Sequence, residues 1–173
     1  KGRELQAGEF SFTITEVDKD KKEVNGGYTD TAGNAADGTV SFKEITYSKA
    51  GDYYYKVVEN VPAEKLGGVT YSSDSYIIKV TVTDNGNGKL TAAADKGLDA
   101  LVFTNTYAAN GTLTLEATKK LKNKALKVGD FSFVLKDDSG AIIQSVSNNA
   151  DGTVAFNPIQ YTLNDVGSHT YTV

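Results

Sequence analysis

The alternation of apolar and polar residues along this chain predicts short β-strands over most of its length. In Phe10–Thr15 every second residue is apolar, the period that places alternate side chains of a strand on one buried face. Other segments share this alternation and are rich in β-branched and aromatic residues. The predicted strands are Phe10–Thr15, Thr39–Phe42, Tyr53–Val58, Ser75–Thr83, Lys89–Ala93, Leu101–Tyr107, Thr112–Leu121, Phe131–Leu135, Thr153–Phe156 and His169–Val173. Many short strands separated by turns are typical of an all-β, immunoglobulin-like β-sandwich.

Three segments between the strands have their own signals. Asp84–Gly88 contains two Asn-Gly steps, and because Asn and Gly tolerate positive φ, the segment predicts a hairpin loop. Its spacing faintly resembles a calcium loop but lacks the distal bidentate acid, so no metal is expected there. Val61–Leu66 predicts one short helical turn opened by Pro62. Lys19–Asn34 is interpreted as a long loop.

One pattern of residues occurs twice along the sequence. Ala36–Val40 and Ala150–Val154 are the same pentapeptide, Ala-Asp-Gly-Thr-Val, and matching residues surround both copies. We therefore predict tandem modules. Residues 1–108 would be a β-sandwich module lacking its first strand, and residues 109–173 would be the first half of a second, homologous module. The alignment pairs Lys1 with Lys122, so the counterpart of Thr112–Leu121 would precede residue 1.

Composition narrows the classes of partner. The net charge of −4 and the pI near 5.0 give no basis for binding nucleic acid. The local run of lysines from Lys119 to Lys127 is interpreted as a solvated edge strand rather than an anion site. The absence of cysteine excludes disulfides and thiolate metal sites, and no apolar stretch is long enough to span a bilayer. No cofactor is expected.

Strand phase places three polar residues on buried faces. Glu59 continues the inward set of Tyr55 and Val57, Asn105 follows Phe103, and Lys119 follows Ala117. A buried unpaired charge is costly, and desolvation favours a neutral amine and a neutral acid. A neutral amine beside a polarised carboxamide is a nucleophile facing an electrophile. The phase therefore suggests an amide cross-link between strands. The alternative is that these residues lie at strand ends and point to solvent without reacting.

The same residues carry a family resemblance. The motifs are Gly8-Glu-Phe-Ser-Phe, Ala-Asp-Gly-Thr-Val-x-Phe, Ile-x-Tyr, Gly-x-x-x-Tyr-x-Val-x-Glu59 and Phe103-Thr-Asn105-Thr-Tyr107. Together they resemble the isopeptide-linkage domain of streptococcal T-antigen-like pilins, and they are similar to the B-type domains of collagen adhesins. The resemblance covers essentially the whole chain.

The resemblance implies a spontaneous Lys–Asn bond promoted by an acid. Glu59 matches the acid that shuttles protons, and Asn105 matches the acceptor of the first module. Lys119 matches the donor of the second module, with Lys120 as the alternative if the strand slips by one residue. The donor of the first module would lie before Lys1, outside these 173 residues. The acid and the Asn of the second module would lie beyond Val173.

The resemblance makes a structural function the first expectation: a module of a Gram-positive cell-surface pilus or adhesin stalk, extracellular and anchored to the cell wall. Its partners would be neighbouring modules or pilin subunits. The alternative is an adhesin domain that binds a host matrix protein or glycan through Tyr28, Tyr53, Tyr54 and the Lys19–Asn34 loop. A turnover enzyme is not expected, because the single histidine, His169, has no nucleophile–base–acid set around it in the sequence pattern. If no strand precedes Lys1, the first module would have an open edge that a strand of another chain could fill.

Overall fold

The computed structural model describes residues 3–97 and 100–173. The chain divides into two compact units, Lys1–Tyr107 and Ala108–Val173. The expectation of an all-β protein is confirmed, since the one helical element with described bounds is a single 3-10 turn at Leu163–Asp165. No helix within the described ranges is long and apolar enough to cross a bilayer.

The first unit is built around a five-stranded antiparallel sheet in the order β2-β1-β3-β5-β6. Strand β3 lies at its centre because it pairs with β1 on one side and β5 on the other. A separate short pair, β4 with β7, lies outside this sheet. The strands are β1 (Ser11–Val17), β2 (Thr29–Gly33), β3 (Gly51–Asn60), β4 (Val69–Thr70), β5 (Ser75–Asp84), β6 (Leu90–Ala94) and β7 (Thr106–Tyr107).

One face of this sheet forms the core of the first unit. Ile14 of β1 and Tyr55 and Val57 of β3 are buried there, as the alternating pattern requires. The cover over this face comes mainly from non-strand segments, including Phe42 and Phe103. Burial of the apolar side chains of the sheet and of the segments packed on it is the main favourable contribution to folding of the unit.

The second unit consists of three short antiparallel strand pairs rather than one wide sheet. β10 pairs with β11, β12 with β9, and β13 with β8. Its core contains the fully buried Leu135 and Val154 and the nearly buried Phe156. An isolated bridge joins Lys136 to Thr172. The strands are β8 (Asn110–Leu113), β9 (Glu116–Thr118), β10 (Ser132–Lys136), β11 (Ile142–Ser147), β12 (Thr153–Ala155) and β13 (Ile159–Thr162).

Several predicted strands are wrong or shortened because alternation specifies a face but not a pairing partner. Thr39–Phe42 is not a strand, and Val40 makes only an isolated bridge to Asn34. Leu101–Tyr107 is reduced to β7, and His169–Val173 is reduced to the bridge at Thr172. Thr112–Leu121 is interrupted, since β8 and β9 pair with different strands.

Two predicted connections are also wrong. Val61–Leu66 does not form a helical turn; it bends into a turn in which Val69 N donates to Leu66 O. A single turn has too few hydrogen bonds to offset the cost of helix nucleation. The predicted loop Lys19–Asn34 contains β2, which pairs along β1. The hairpin loop at Asp84–Gly88 is confirmed, since β5 and β6 pair on either side of it.

Candidate functional site

Strand β3 ends in a buried carboxyl group. Tyr55, Val57 and Glu59 are all buried, and Glu59 is only 8% exposed. Glu59 lies opposite Phe12 of β1, so its side chain shares the apolar face of the sheet. The predicted phase of this strand is therefore right.

Asn105 reaches the same face from the segment that leads into β7. Residues 101–107 alternate between half-buried and exposed, with Phe103, Asn105 and Tyr107 half-buried. β7 pairs with β4 in the register Val69↔Tyr107 and Thr70↔Thr106, which fixes Asn105 beside the chain that follows β4.

The structure brings the two predicted groups into direct contact. Asn105 Nδ2 donates to Glu59 Oε1 at 2.5 Å. The backbone N–H of Ser72 donates to both side chains, at 2.6 Å to Asn105 Oδ1 and at 3.1 Å to Glu59 Oε2. Glu59, Asn105 and Ser72 thus form one hydrogen-bonded cluster in the first unit.

Burial shifts the proton affinity of this cluster. Desolvation raises the pKa of Glu59 above its ordinary value, and the hydrogen bonds from Asn105 and Ser72 only partly oppose it by favouring the carboxylate. A carboxyl group with a raised pKa holds a proton more readily than an ordinary carboxyl group does, which suits a group that must both accept and return a proton.

A small cavity opens beside Asn105. Its volume is about 40 Å³, and Phe10, Asn105 and Tyr107 are among the residues that line it. Arg3 covers one side, with its guanidinium carbon 5.1 Å from the centroid of the Tyr107 ring and an ion pair to Glu9. The cavity borders Asn105, and Glu59 is not among the residues that line it.

Lys119 lies in the second unit, directly after β9. It is half-buried, and its Nζ lies 4.3 Å from the centroid of the Phe131 ring. Its backbone N donates to Gly152 O at 2.7 Å. Lys120 is exposed, so the strand has the phase that makes Lys119 the inward residue.

Comparisons with known proteins bear on this geometry. The FctA family, described as the Spy0128-like isopeptide containing domain, matches residues 1–108 and 115–173. The chain belongs to this family. The resemblance found in the sequence is thereby confirmed.

A relative of this FctA-family chain is a protein named "Pilin" from Streptococcus pyogenes serotype M1. The two are 32% identical over 84 residues, which cover 49% of this chain and 23% of the relative. The chain thus matches less than a quarter of that protein's length. No solved structure matches the chain.

Sequence reasoning missed two buried asparagines of the FctA-family chain. Asn34 Oδ1 accepts from Phe10 N at 2.8 Å, and its Nδ2 donates to Gln6 O and Ala35 O. Asn148 makes the equivalent bonds to Phe131 N, Lys127 O and Asn149 O. The bonds of Asn34 hold the turn that precedes β1, and those of Asn148 hold the turn that precedes β10. The signal was present, because the repeated pentapeptide extends two residues upstream to an asparagine in both copies.

Two of the residues suggested for ligand binding, Tyr28 and Tyr53, pack against the first core, whereas residues 19–26 of the suggested loop are exposed. Tyr28 and Tyr53 are half-buried against the first core, and their hydroxyl groups donate to Lys43 O and Lys49 O. His169 contacts the Tyr161 ring and hydrogen-bonds to Asp165 O. Among the described residues no group of His, Cys, Asp and Glu is arranged to hold a metal ion.

Proposed function

We propose that this chain is a structural module of a Gram-positive cell-surface pilus or adhesin stalk, stabilised by autocatalytic Lys–Asn isopeptide bonds. Glu59 is the proton shuttle and Asn105 the acceptor of the first module, and Lys119 is the donor of the second. The observation that carries the proposal is the partly buried hydrogen bond of 2.5 Å between Asn105 Nδ2 and Glu59 Oε1.

The chemistry is a transamidation that needs no cofactor. A neutral lysine amine attacks Asn105 Cγ, and the C=O electron pair moves onto Oδ1. Glu59 takes a proton from the attacking nitrogen and delivers one to Nδ2. The C–Nδ2 bond then breaks, the carbonyl re-forms and ammonia leaves. Glu59 ends in the protonation state in which it began, so it is not consumed.

The repeat supports the position of the donor. Lys119 lies over Phe131 in the second unit, and Phe131 aligns with Phe10 of the first. Phe10 lines the cavity that also borders Asn105. A lysine that occupied the corresponding place over Phe10 would therefore approach the carboxamide from the cavity side. This argument treats residues 1–108 and 109–173 as tandem modules.

The bond would give the module mechanical strength. A covalent link between the first and last strands of a sandwich stops the strands from separating when the chain is pulled at its ends. By the entropy arithmetic used for disulfides, closing a loop of about 100 residues also stabilises the folded state by about 4–5 kcal/mol. Such a module suits association with neighbouring pilin subunits at the cell surface, and it performs one intramolecular reaction rather than turnover.

The test is a chain preceded by a second copy of Asn110–Leu121, so that its Leu121 copy joins Lys1 in the register of Leu121 and Lys122. We expect the folded protein to weigh about 17 Da less than its sequence requires, the mass of the ammonia released. Tandem mass spectrometry would identify the link between the added lysine and Asn105.

Three matched variants of this extended chain are the controls. The three variants are Asn105→Ala, Glu59→Ala and one with Arg in place of the added copy of Lys119. Each should retain the full mass. If the extended chain folds and also keeps the full mass, the cross-link proposal is wrong.

A further inference from the structure

One backbone group of the cluster has no role in the proton transfer described above. The Ser72 N–H lies 2.6 Å from Asn105 Oδ1, closer than its 3.1 Å distance to Glu59 Oε2. Ser72 follows β4, and the β4–β7 register that pairs Thr70 with Thr106 brings the next residues beside Asn105. A strand pairing therefore fixes this donor in place before any reaction begins.

We propose that the Ser72 backbone N–H is the oxyanion donor for bond formation at Asn105, an inference that rests on the proposed function. Attack on Cγ develops negative charge on Oδ1, the atom to which this N–H already points. A preorganised donor stabilises such charge without having to reorient. Because Ser72 touches a reacting atom, it is a catalytic residue through its main chain.

The second hydrogen bond of the Ser72 N–H orients the Glu59 carboxyl group relative to the Asn105 side chain. By donating to Glu59 Oε2, Ser72 leaves Oε1 facing Asn105 Nδ2. The Glu59 carboxyl group therefore faces the leaving nitrogen of Asn105, and the Ser72 N–H faces the carbonyl oxygen of Asn105. The two bonds of the Ser72 N–H thus keep the acid at the nitrogen of the Asn105 side chain and the oxyanion donor at its oxygen.

Asn34 shows why this arrangement differs from an ordinary buried asparagine. Its Oδ1 also accepts a backbone N–H, from Phe10, but its Nδ2 donates to the carbonyl oxygens of Gln6 and Ala35. A carbonyl oxygen cannot deliver a proton to a leaving nitrogen. Only at Asn105 do the described contacts place an N–H at the oxygen and a carboxyl group at the nitrogen.

The side chain of Ser72 has a different task, which makes the main-chain role testable. Ser72 Oγ donates to Asp74 Oδ2 at 2.8 Å and accepts from Asp74 N at 3.2 Å. Ser72→Ala removes these loop contacts but keeps the N–H. Ser72→Pro removes the N–H as well.

The experiment compares both variants in the extended chain that carries the added donor segment. Each is refolded from urea, tyrosine fluorescence reports the end of folding, and intact mass then follows the loss of ammonia with time. We expect Ser72→Ala to react within about threefold of the parent rate and Ser72→Pro to react about 10²–10³-fold more slowly, the effect typical of losing one oxyanion donor.

A second variant covers the case in which Ser72→Pro does not fold. Replacing the Tyr71–Ser72 amide by an ester through protein ligation removes the N–H without a proline ring, and the same slowing is expected. Equal rates for Ser72→Ala and for a folded variant that lacks the N–H would overturn the inference while leaving the cross-link intact. A parent chain that never loses ammonia would instead overturn the proposed function, and the inference with it.

Discussion

Asn34, Asn148 and Asn105 are buried or half-buried, and they have two different kinds of chemical surroundings. Asn34 and Asn148 each bond only to main-chain groups through their side chains, and their bonds fix a turn. Asn105 instead donates to a buried carboxyl group. Its neighbour, not its residue type, therefore makes Asn105 the candidate electrophile.

The pH dependence of stability tests the state of Glu59. Its folded pKa lies above the ordinary carboxyl value, so the folded state binds this proton more tightly than the unfolded state does. The contribution of Glu59 to stability is then fully present below the ordinary pKa and is lost as pH rises through the raised folded pKa. We expect the free energy of unfolding of the parent, minus that of Glu59→Gln, to fall over this window and then to level off.

Urea unfolding of the 173-residue chain, followed by tyrosine fluorescence between about pH 4 and pH 8, measures this difference. Glu64→Gln, at an exposed glutamate, is the matched control. A difference for Glu59→Gln that stays flat or rises with pH would show that burial does not raise the pKa of Glu59.

At the scale of elements, the two copies of the repeated pentapeptide behave differently. In the second unit Thr153–Ala155 forms β12 because β9 lies beside it. In the first unit the matching residues Thr39–Ser41 contribute one bridge at Val40. Matching residues therefore form a strand only where a described neighbour provides the ladder, since strand structure depends on pairing more than on local propensity.

The glycine of the pentapeptide gives a matched prediction. Gly38 and Gly152 share a φ of +91°, so alanine at either position costs about 1–2 kcal/mol for the left-handed backbone. An added Cβ at Gly152 would also lie 2.2 Å from Lys119 O, whereas at Gly38 its nearest neighbour is Leu5 Cδ2 at 3.6 Å.

We therefore expect Gly152→Ala to destabilise the second unit by at least about 2 kcal/mol more than Gly38→Ala destabilises the first. Native-state hydrogen exchange, analysed separately for β12 and for β1, measures both values in one chain. Gly140→Ala, at a positive φ with open space around the added Cβ, is a further control. Equal losses at Gly38 and Gly152 would show that the end of β9 does not restrain this turn.

At the scale of the whole molecule, the hydrophobic residues form two separate cores. Every member of the Ile14–Tyr55–Val57 cluster belongs to the first unit, and every member of the Leu135–Val154–Phe156 cluster belongs to the second. Each core draws on residues far apart in sequence but within one unit. Loss of packing in one core should therefore act mainly within its own unit.

Paired core substitutions test this division. Val57→Ala and Val154→Ala, at residues that are 4% and 0% exposed, should each cost about 2 kcal/mol through lost burial and a residual cavity. We expect Val57→Ala to lower hydrogen-exchange protection in β3 and β5 and Val154→Ala to lower it in β10 and β11. Equal loss of protection in both units from either change would show that the chain unfolds as one cooperative body.

The sequence alone determined the strand-rich class, the repeated frame and the inward phase of Glu59, Asn105 and Lys119, because period-two alternation is a local property that each segment carries by itself. Only the tertiary structure decided which segments pair, which left Thr39–Phe42 and His169–Val173 without the predicted strands. It also placed the Ser72 N–H between Glu59 and Asn105. A main-chain donor leaves no mark in the residue pattern, since every residue except proline has one, and only the folded chain determines where it points.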